Sequence, residues 1–307
     1  MHGGPNSATY AEPMTDPTLV GPVTPPDLHA MTYNIRRRMP HLMRGNPDRW
    51  ASRKWLMKLI LQAEQPTILG VQEAMSDQAD FLTSSLGAHY DRVGHGRNSN
   101  GRGEACLIYF DTRRLRLVAW KQRALSATPD KPGSRGWGNH VPRTVVSAEF
   151  TDIATGSRVF AFVTHFDQLS RKSRLLSAAM IIELAKAAHA SDPDALIVAM
   201  GDVNADVDSP VYAALTGVSV LRDSWEVADE RLTPQWGTFS DYKRRRAGGK
   251  RIDLILVGPG VEVLRTGINA VRFDGAAASD HEPVQAVLRE IRPATDAPAA
   301  PTEGQAT

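Results

Sequence analysis

The chain has 307 residues, 42% of them hydrophobic, enough for a substantial core, and its 36 basic and 34 acidic residues leave a formal charge of only +2. That balance excludes a global field steering the protein to nucleic acid or a membrane. A single cysteine, Cys106, excludes an internal disulfide and a cysteine-rich zinc site, and it fits a reducing compartment, read here as the cytoplasm.

Residues 1–27 are rich in Pro, Thr, Gly and Ala and carry too little apolar surface to offset chain entropy, so composition predicts a disordered tail. They contain no basic segment followed by an apolar core, so no secretory signal is visible. No window approaches the roughly 18 consecutive apolar residues of a membrane span. Residues 293–307 repeat the Pro-Ala-Thr character, which leaves one folded unit over 28–292, without internal repeats and expected to be a monomer.

The unit opens with a predicted strand over 28–34 that ends on Asn34. A helical stripe over 47–65 follows, with Asn46-Pro47 expected as its cap and first turn. Residues 67–73 read as a buried strand that ends on Glu73, and 76–86 as a second helix. The polar, glycine-rich stretch 91–103 reads as a mobile surface loop. Strands are expected over 104–110 and 115–120, then a long Gly/Pro loop over 124–142 with Arg143 at its end. A strand pair over 144–150 and 158–164 delivers His165 and Asp167, and 170–190 is the longest helical pattern.

The run Ala195-Leu-Ile-Val-Ala-Met-Gly-Asp-Val-Asn204 then reads as a doubly buried strand stopped at Gly201, with Asp202 and Asn204 at its exit. In an extended segment residues two apart share a face, so both can serve one oxygen-rich site, although an Asx pair after glycine also suits an ordinary turn. A short helix near 210–215, a basic loop over 237–249 and strands over 251–257 and 284–288 complete the unit. Directly consecutive strands of this number fit two packed sheets flanked by helices better than an alternating parallel fold.

The polar residues at strand ends are Asn34, Glu73, His165, Asp202, Asn204, Asp253, Asp280 and His281. They lie in Thr32-Tyr-Asn, Val71-Gln-Glu, Thr164-His-Phe-Asp, Gly201-Asp-Val-Asn, Arg251-Ile-Asp and Ser279-Asp-His. Six such segments in this order resemble the endonuclease/exonuclease/phosphatase (DNase I-like) superfamily. The resemblance implies an α/β fold, a four-layer α-β-β-α sandwich of two mostly antiparallel sheets, and hydrolysis of a phosphoester with magnesium or manganese.

By motif match, Asn34, Glu73 and Asp280 would bind or border the metal, and Asp202 with Asn204 would position and activate the attacking water. His281 would hold a phosphate oxygen with Asp253 fixing its ring, His165 would work beside Glu104, and Arg143 would contact phosphate. The chemistry agrees: magnesium prefers carboxylate, amide and water oxygens, a carboxylate can take a proton from an aligned water, and an imidazole beside a carboxylate is favoured as imidazolium. Asp253 in an apolar strand requires a partner, Arg251 or His281, and a purely structural pair is its plain alternative. Asn34 can equally cap a turn and Glu73 the helix after it.

A phosphodiesterase or nuclease is the leading expectation. Lys243-Arg-Arg-Arg246 can grip a nucleic-acid backbone, Arg36-Arg37-Arg38 can sit at the mouth of the site, and Trp137 can stack on a base. Each has a bland counterpart in a solvated loop or an anchored one. A phosphomonoesterase acting on a sugar phosphate or nucleotide is the alternative, and a non-catalytic binding module that keeps the fold is the third.

Overall fold

Apolar runs bounded by turn residues become central strands, and the described residues of the computed structural model, 16–40 and 43–291, order them as follows. The elements are β1 (Leu28–Asn34), α1 (Trp50–Glu64), β2 (Ile68–Ala74), α2 (Ser76–Leu86), β3 (Tyr90–Val93), β4 (Ala105–Asp111), β5 (Leu115–Ala124), β6 (Thr144–Asp152) and β7 (Arg158–His165). Then come α3 (Arg171–Ser191), β8 (Leu196–Asp202), α4 (Pro210–Thr216), β9 (Arg222–Asp223), α5 (Ser224–Val227), β10 (Glu230–Arg231), β11 (Asp253–Val257), β12 (Val261–Ile268) and β13 (Val284–Glu290).

A seven-stranded sheet runs β10-β12-β13-β1-β2-β4-β3, and a six-stranded sheet runs β5-β6-β7-β8-β11-β9. Both are mixed: β1 lies parallel to β2 and β7 parallel to β8, whereas β11 runs antiparallel to β8 with Asp253 opposite Asp202. Side chains alternate across each strand, so three cores form. Ile68, Ile108, Phe150, Val163, Val198 and Ile255 fill the space between the sheets. Phe162, Ile181, Ile182 and Ile197 join the six-stranded sheet to α3, while Met31, Tyr33, Met57, Leu61 and Leu82 join the seven-stranded sheet to α1 and α2. This is the four-layer sandwich expected. Among the described residues no helix is long and apolar enough to cross a membrane.

Three expectations change. Residues 16–27 do not behave as composition suggests: the backbone N–H groups of Leu19, Val20 and Gly21 donate to the Glu64 carboxylate at 2.7, 3.1 and 2.8 Å. Buried charge-assisted hydrogen bonds supply what the apolar count lacks. The remainder of that tail, residues 1–15, and the C-terminal one lie outside the described residues.

The first helix begins at Trp50 rather than 47, because Asn46 closes its own turn by accepting the Asp48 N–H through Oδ1 at 2.9 Å. The glycine-rich loop is in part a hairpin. Gly96 N–H donates to the Gly101 carbonyl and Arg97 N–H to the Glu104 carbonyl, both at 3.0 Å. A Cβ on Gly96 would lie 2.4 Å from the Arg102 carbonyl oxygen, so glycine permits the close return of the chain.

Candidate active site

The ends of β1, β2, β7 and β8, the start of β11 and the turn before β13 meet at one rim of the sandwich. Gly201 allows this meeting: at φ +148° its Cα faces the neighbouring strand so closely that a Cβ would lie 2.0 Å from the Thr164 carbonyl oxygen. His165 therefore sits in register with Asp202. Glu73 stands at an irregularity in the β2–β4 pairing and holds φ +65°, an uncommon conformation that turns its carboxylate into the rim.

Asp202 is 1% exposed and forms the centre. Its Oδ1 accepts the Asn204 backbone N–H at 2.8 Å and its Oδ2 accepts from Asn34 Nδ2 at 3.1 Å. His165 Nε2 and His281 Nε2 lie 3.5 and 3.8 Å from Oδ2. His281 Nδ1 donates to Asp253 Oδ2 at 2.8 Å, which resolves the pairing in favour of His281. Arg251 instead bonds Asp223 and Glu226. The Thr238 hydroxyl oxygen accepts the Ile252 and Asp253 N–H groups and fixes the start of β11, and the Phe239 ring lies 4.9 Å from that of His281.

The charges follow from this packing. Burial and the nearby Asp253 push the Asp202 carboxyl up to about 7, against the pull of His281 and the two amide donors. Burial alone would lower His281, but Asp253, Asp202 and Asp280 raise it to about 10, so it is an imidazolium at neutral pH. His165 is the opposite case. Burial, with Arg143, His281 and Arg97 adding to it, holds its pKa well below the ordinary value, so its approach to Asp202 is not an ion pair.

Asp202, Asp253 and His281 place ligand atoms within 4.8 Å of one another. The His281 Nδ1–Asp253 Oδ2 hydrogen bond ties two of the three together and leaves Nε2 facing Asp202, 3.8 Å away. The oxygen donors suited to a hard divalent cation are Glu73 and Asp280. Burial and Glu73 raise Asp280, while the Arg37 N–H, Asn34, His281 and Arg36 outweigh burial to lower Glu73. Asp280 is offset by the charge of the nearby His281, by Arg36 Nε at 3.6 Å and by the Ser279 hydroxyl, which donates to Oδ1 at 3.2 Å, yet its pKa stays raised. That excess of buried negative charge fits a cation.

Asn34 presents Nδ2, not oxygen, to Glu73 Oε1 at 3.1 Å, because its Oδ1 accepts the Arg36 N–H at 3.0 Å. Turned over, the amide would aim oxygen at two carboxylates, an arrangement that a cation in their midst would favour.

Asn204 is held on both sides. Its Nδ2 donates to the Phe166 carbonyl at 3.0 Å, and its backbone N–H is what reaches Asp202. Glu104 lines the same pocket as His165. It takes the guanidinium of Arg97, Nη1 to Oε2 at 2.8 Å and Nη2 to Oε1 at 2.9 Å, with Arg37 3.6 Å away. Glu73, Arg97, Glu104, Arg143 and His165 line one small pocket beside Asp202. Arg97 was hidden in the sequence because its hairpin reads as a loop; the glycines at 94, 96, 101 and 103 on both arms are the signal of the close return.

The sequence model of the Endonuclease/Exonuclease/phosphatase family matches residues 31–281. A search of curated proteins returns no match. Among solved structures, a mannosyl-6-phosphatase of Bacteroides thetaiotaomicron is 30% identical with a TM-score of 0.78, covering 85% of this chain and 99% of its own. An endonuclease/exonuclease/phosphatase from Bacteroides vulgatus is 29% identical, TM-score 0.78, covering 86% and 99%. The D. rerio TDP2 complex with a single-strand DNA product shares the fold at 15% identity and TM-score 0.64, over 86% and 99%.

Proposed function

The chain belongs to the endonuclease/exonuclease/phosphatase family, whose members are hydrolases, and from that premise we propose that it is a divalent-metal-dependent phosphomonoesterase acting on a small phosphorylated sugar. The observation that carries the hydrolytic part is the unlike pair at the centre: Asp202, which can accept a proton near neutrality, beside an imidazolium whose far nitrogen is held by Asp253. Asp202 takes a proton from a water aligned behind phosphorus as that water attacks in line. His281 Nε2–H donates to a phosphate oxygen as its charge grows, and Asp253 keeps the ring in position. Asn34 and the Asn204 N–H orient Asp202. Glu73 and Asp280, with Asn34 if its amide turns, would hold a magnesium or manganese ion, which when bound supplies Lewis-acid stabilisation of the phosphate charge.

The motifs alone rank a phosphodiester first. Two observations support a small monoester instead. The mannosyl-6-phosphatase shares 30% identity along 85% of this chain. The basic clusters that suited a nucleic-acid backbone are partly committed internally: Arg36 bonds Asp48, Arg38 bonds Asp77, Lys243 bonds Asp241, and Arg245 lies over Trp236. Trp137 packs against the core beside α3 rather than standing free as a stacking platform.

The experiment is hydrolysis of p-nitrophenyl phosphate, bis-p-nitrophenyl phosphate and a panel of hexose phosphates, with EDTA and Asp202→Asn controls. Monoester turnover that EDTA abolishes and magnesium restores is the expected result. Cleavage of the diester alone would return the protein to the phosphodiesterases. No turnover of any substrate, with magnesium present, would favour the binding module.

A further inference from the structure

The small pocket beside Asp202 holds two guanidinium groups whose donors the protein does not use up. Arg143 is 5% exposed, yet its Nε and Nη1 have no hydrogen-bond partner; the nearest carboxylate, Asp167 Oδ2, is 3.6 Å from Nε. Leaving buried guanidinium donors unmatched is costly, so such a group is built for an acceptor that arrives from outside. Arg97 faces the same pocket from the hairpin. A guanidinium has five N–H donors, and Glu104 holds Arg97 through one hydrogen bond, from Nη2, and an ion-pair contact at Nη1, which leaves donors over.

We infer that Arg97, with Arg143, determines specificity by reading the second negative charge of a terminal phosphate, so that a dianionic monoester is bound in preference to a monoanionic diester. This deepens the phosphomonoesterase reading and rests on it. Glu104 is then a positioning residue that holds the Arg97 fork. A diester fills one of these oxygen positions with an esterified oxygen, which carries no full charge and brings a substituent into a pocket with little free volume. The catalytic relay on Asp202 and His281 does not include Arg97, so binding of the second charge and chemistry are separable.

The test compares wild type with Arg97→Ala and Arg97→Lys. Arg97→Ala is expected to lower kcat/KM for p-nitrophenyl phosphate about 30-fold, mainly through KM, as suits loss of charge-assisted hydrogen bonds. Any turnover of bis-p-nitrophenyl phosphate should stay within about threefold, because the diester lacks the charge that Arg97 reads. Inhibition by inorganic phosphate should weaken about 30-fold, and inhibition by dimethyl phosphate should not. Arg97→Lys keeps the charge without the fork and should recover part of the loss, and it replaces Arg97→Ala if circular dichroism shows that variant unfolded. If wild type hydrolyses monoesters but Arg97→Ala leaves phosphate inhibition unchanged, or weakens phosphate and dimethyl phosphate equally, the inference fails and the phosphomonoesterase reading stands. If wild type hydrolyses only the diester, both fall.

Discussion

Two buried carboxylate clusters in this protein have opposite characters. Glu64, the last residue of α1, is wholly buried and accepts five N–H groups: three from Leu19, Val20 and Gly21, one from Asn269 at 2.7 Å and one from Gln285 at 3.0 Å. Asp202 is as buried, but its neighbours include a second carboxylate, Asp253, whose Oδ1 has no hydrogen-bond partner. A carboxylate met by donors on all sides is a rivet. One left beside like charge keeps its proton to higher pH and can exchange it near neutrality. Burial alone therefore does not mark the active site; the mismatch between charge and donors does.

The largest effects should fall on the mismatched cluster. Asp202→Asn and His281→Ala each remove a group that acts on the reacting atoms, and turnover of the best phosphoester should drop about 1,000-fold, measured as kcat at saturating substrate. Retention of half the activity in either variant would remove the distinction between the clusters. The pH profile carries the sign of the same argument. Asp202 must be ionised to accept a proton, so activity should rise through about pH 7; His281 must be protonated to donate, so activity should fall near pH 10. Asp253→Asn removes the charge that raises His281 and should draw the alkaline limb down by at least one unit.

How much of this was legible in sequence depended on the range of the interaction. Asn34, Glu73, Asp202 and Asp253 each sit at an end of an apolar run, where the alternation of a strand predicts a side chain leaving the core, His281 sits three residues before β13, and the structure gathers all five. The Glu64 rivet was not legible. It joins residues 43 to 221 positions apart, and nothing in Pro17-Thr-Leu-Val-Gly21 declares that three consecutive N–H groups will converge on one oxygen pair. Arg97 was missed for a related reason: Arg97 and Glu104 meet across a hairpin whose glycines lower the local strand signal. Glu104 lines the same pocket as His165, as expected, and its ion-pair partner is an arginine seven residues away that the sequence did not single out.

Removal of Glu64 should reverse the pattern. Glu64→Ala strands five donors, three of them backbone and three in fully buried bonds, and should cost about 3 kcal/mol or more of unfolding free energy, read from urea midpoints. The kcat of the surviving folded fraction should stay within about twofold, since no atom of this cluster reaches Asp202. A kcat loss comparable to that of Asp202→Asn would mean that residues 16–27 serve the site and not only the sheet.

The smallest effect, and the sharpest one for the comparison, is on the stability of Asp202→Asn itself. A carboxyl whose folded pKa is raised favours folding while it is protonated and opposes it once ionised. The penalty is thus absent near pH 4 and grows as pH rises through about 7. An asparagine carries no such penalty, although its Nδ2 would face the Asn34 donor and return part of the gain. In EDTA, Asp202→Asn should therefore be more stable than wild type by about 1 kcal/mol at pH 8, with the difference vanishing or changing sign at pH 5. The opposite trend would mean that Asp202, like Glu64, is a satisfied structural carboxylate, and the contrast between the two clusters would be lost.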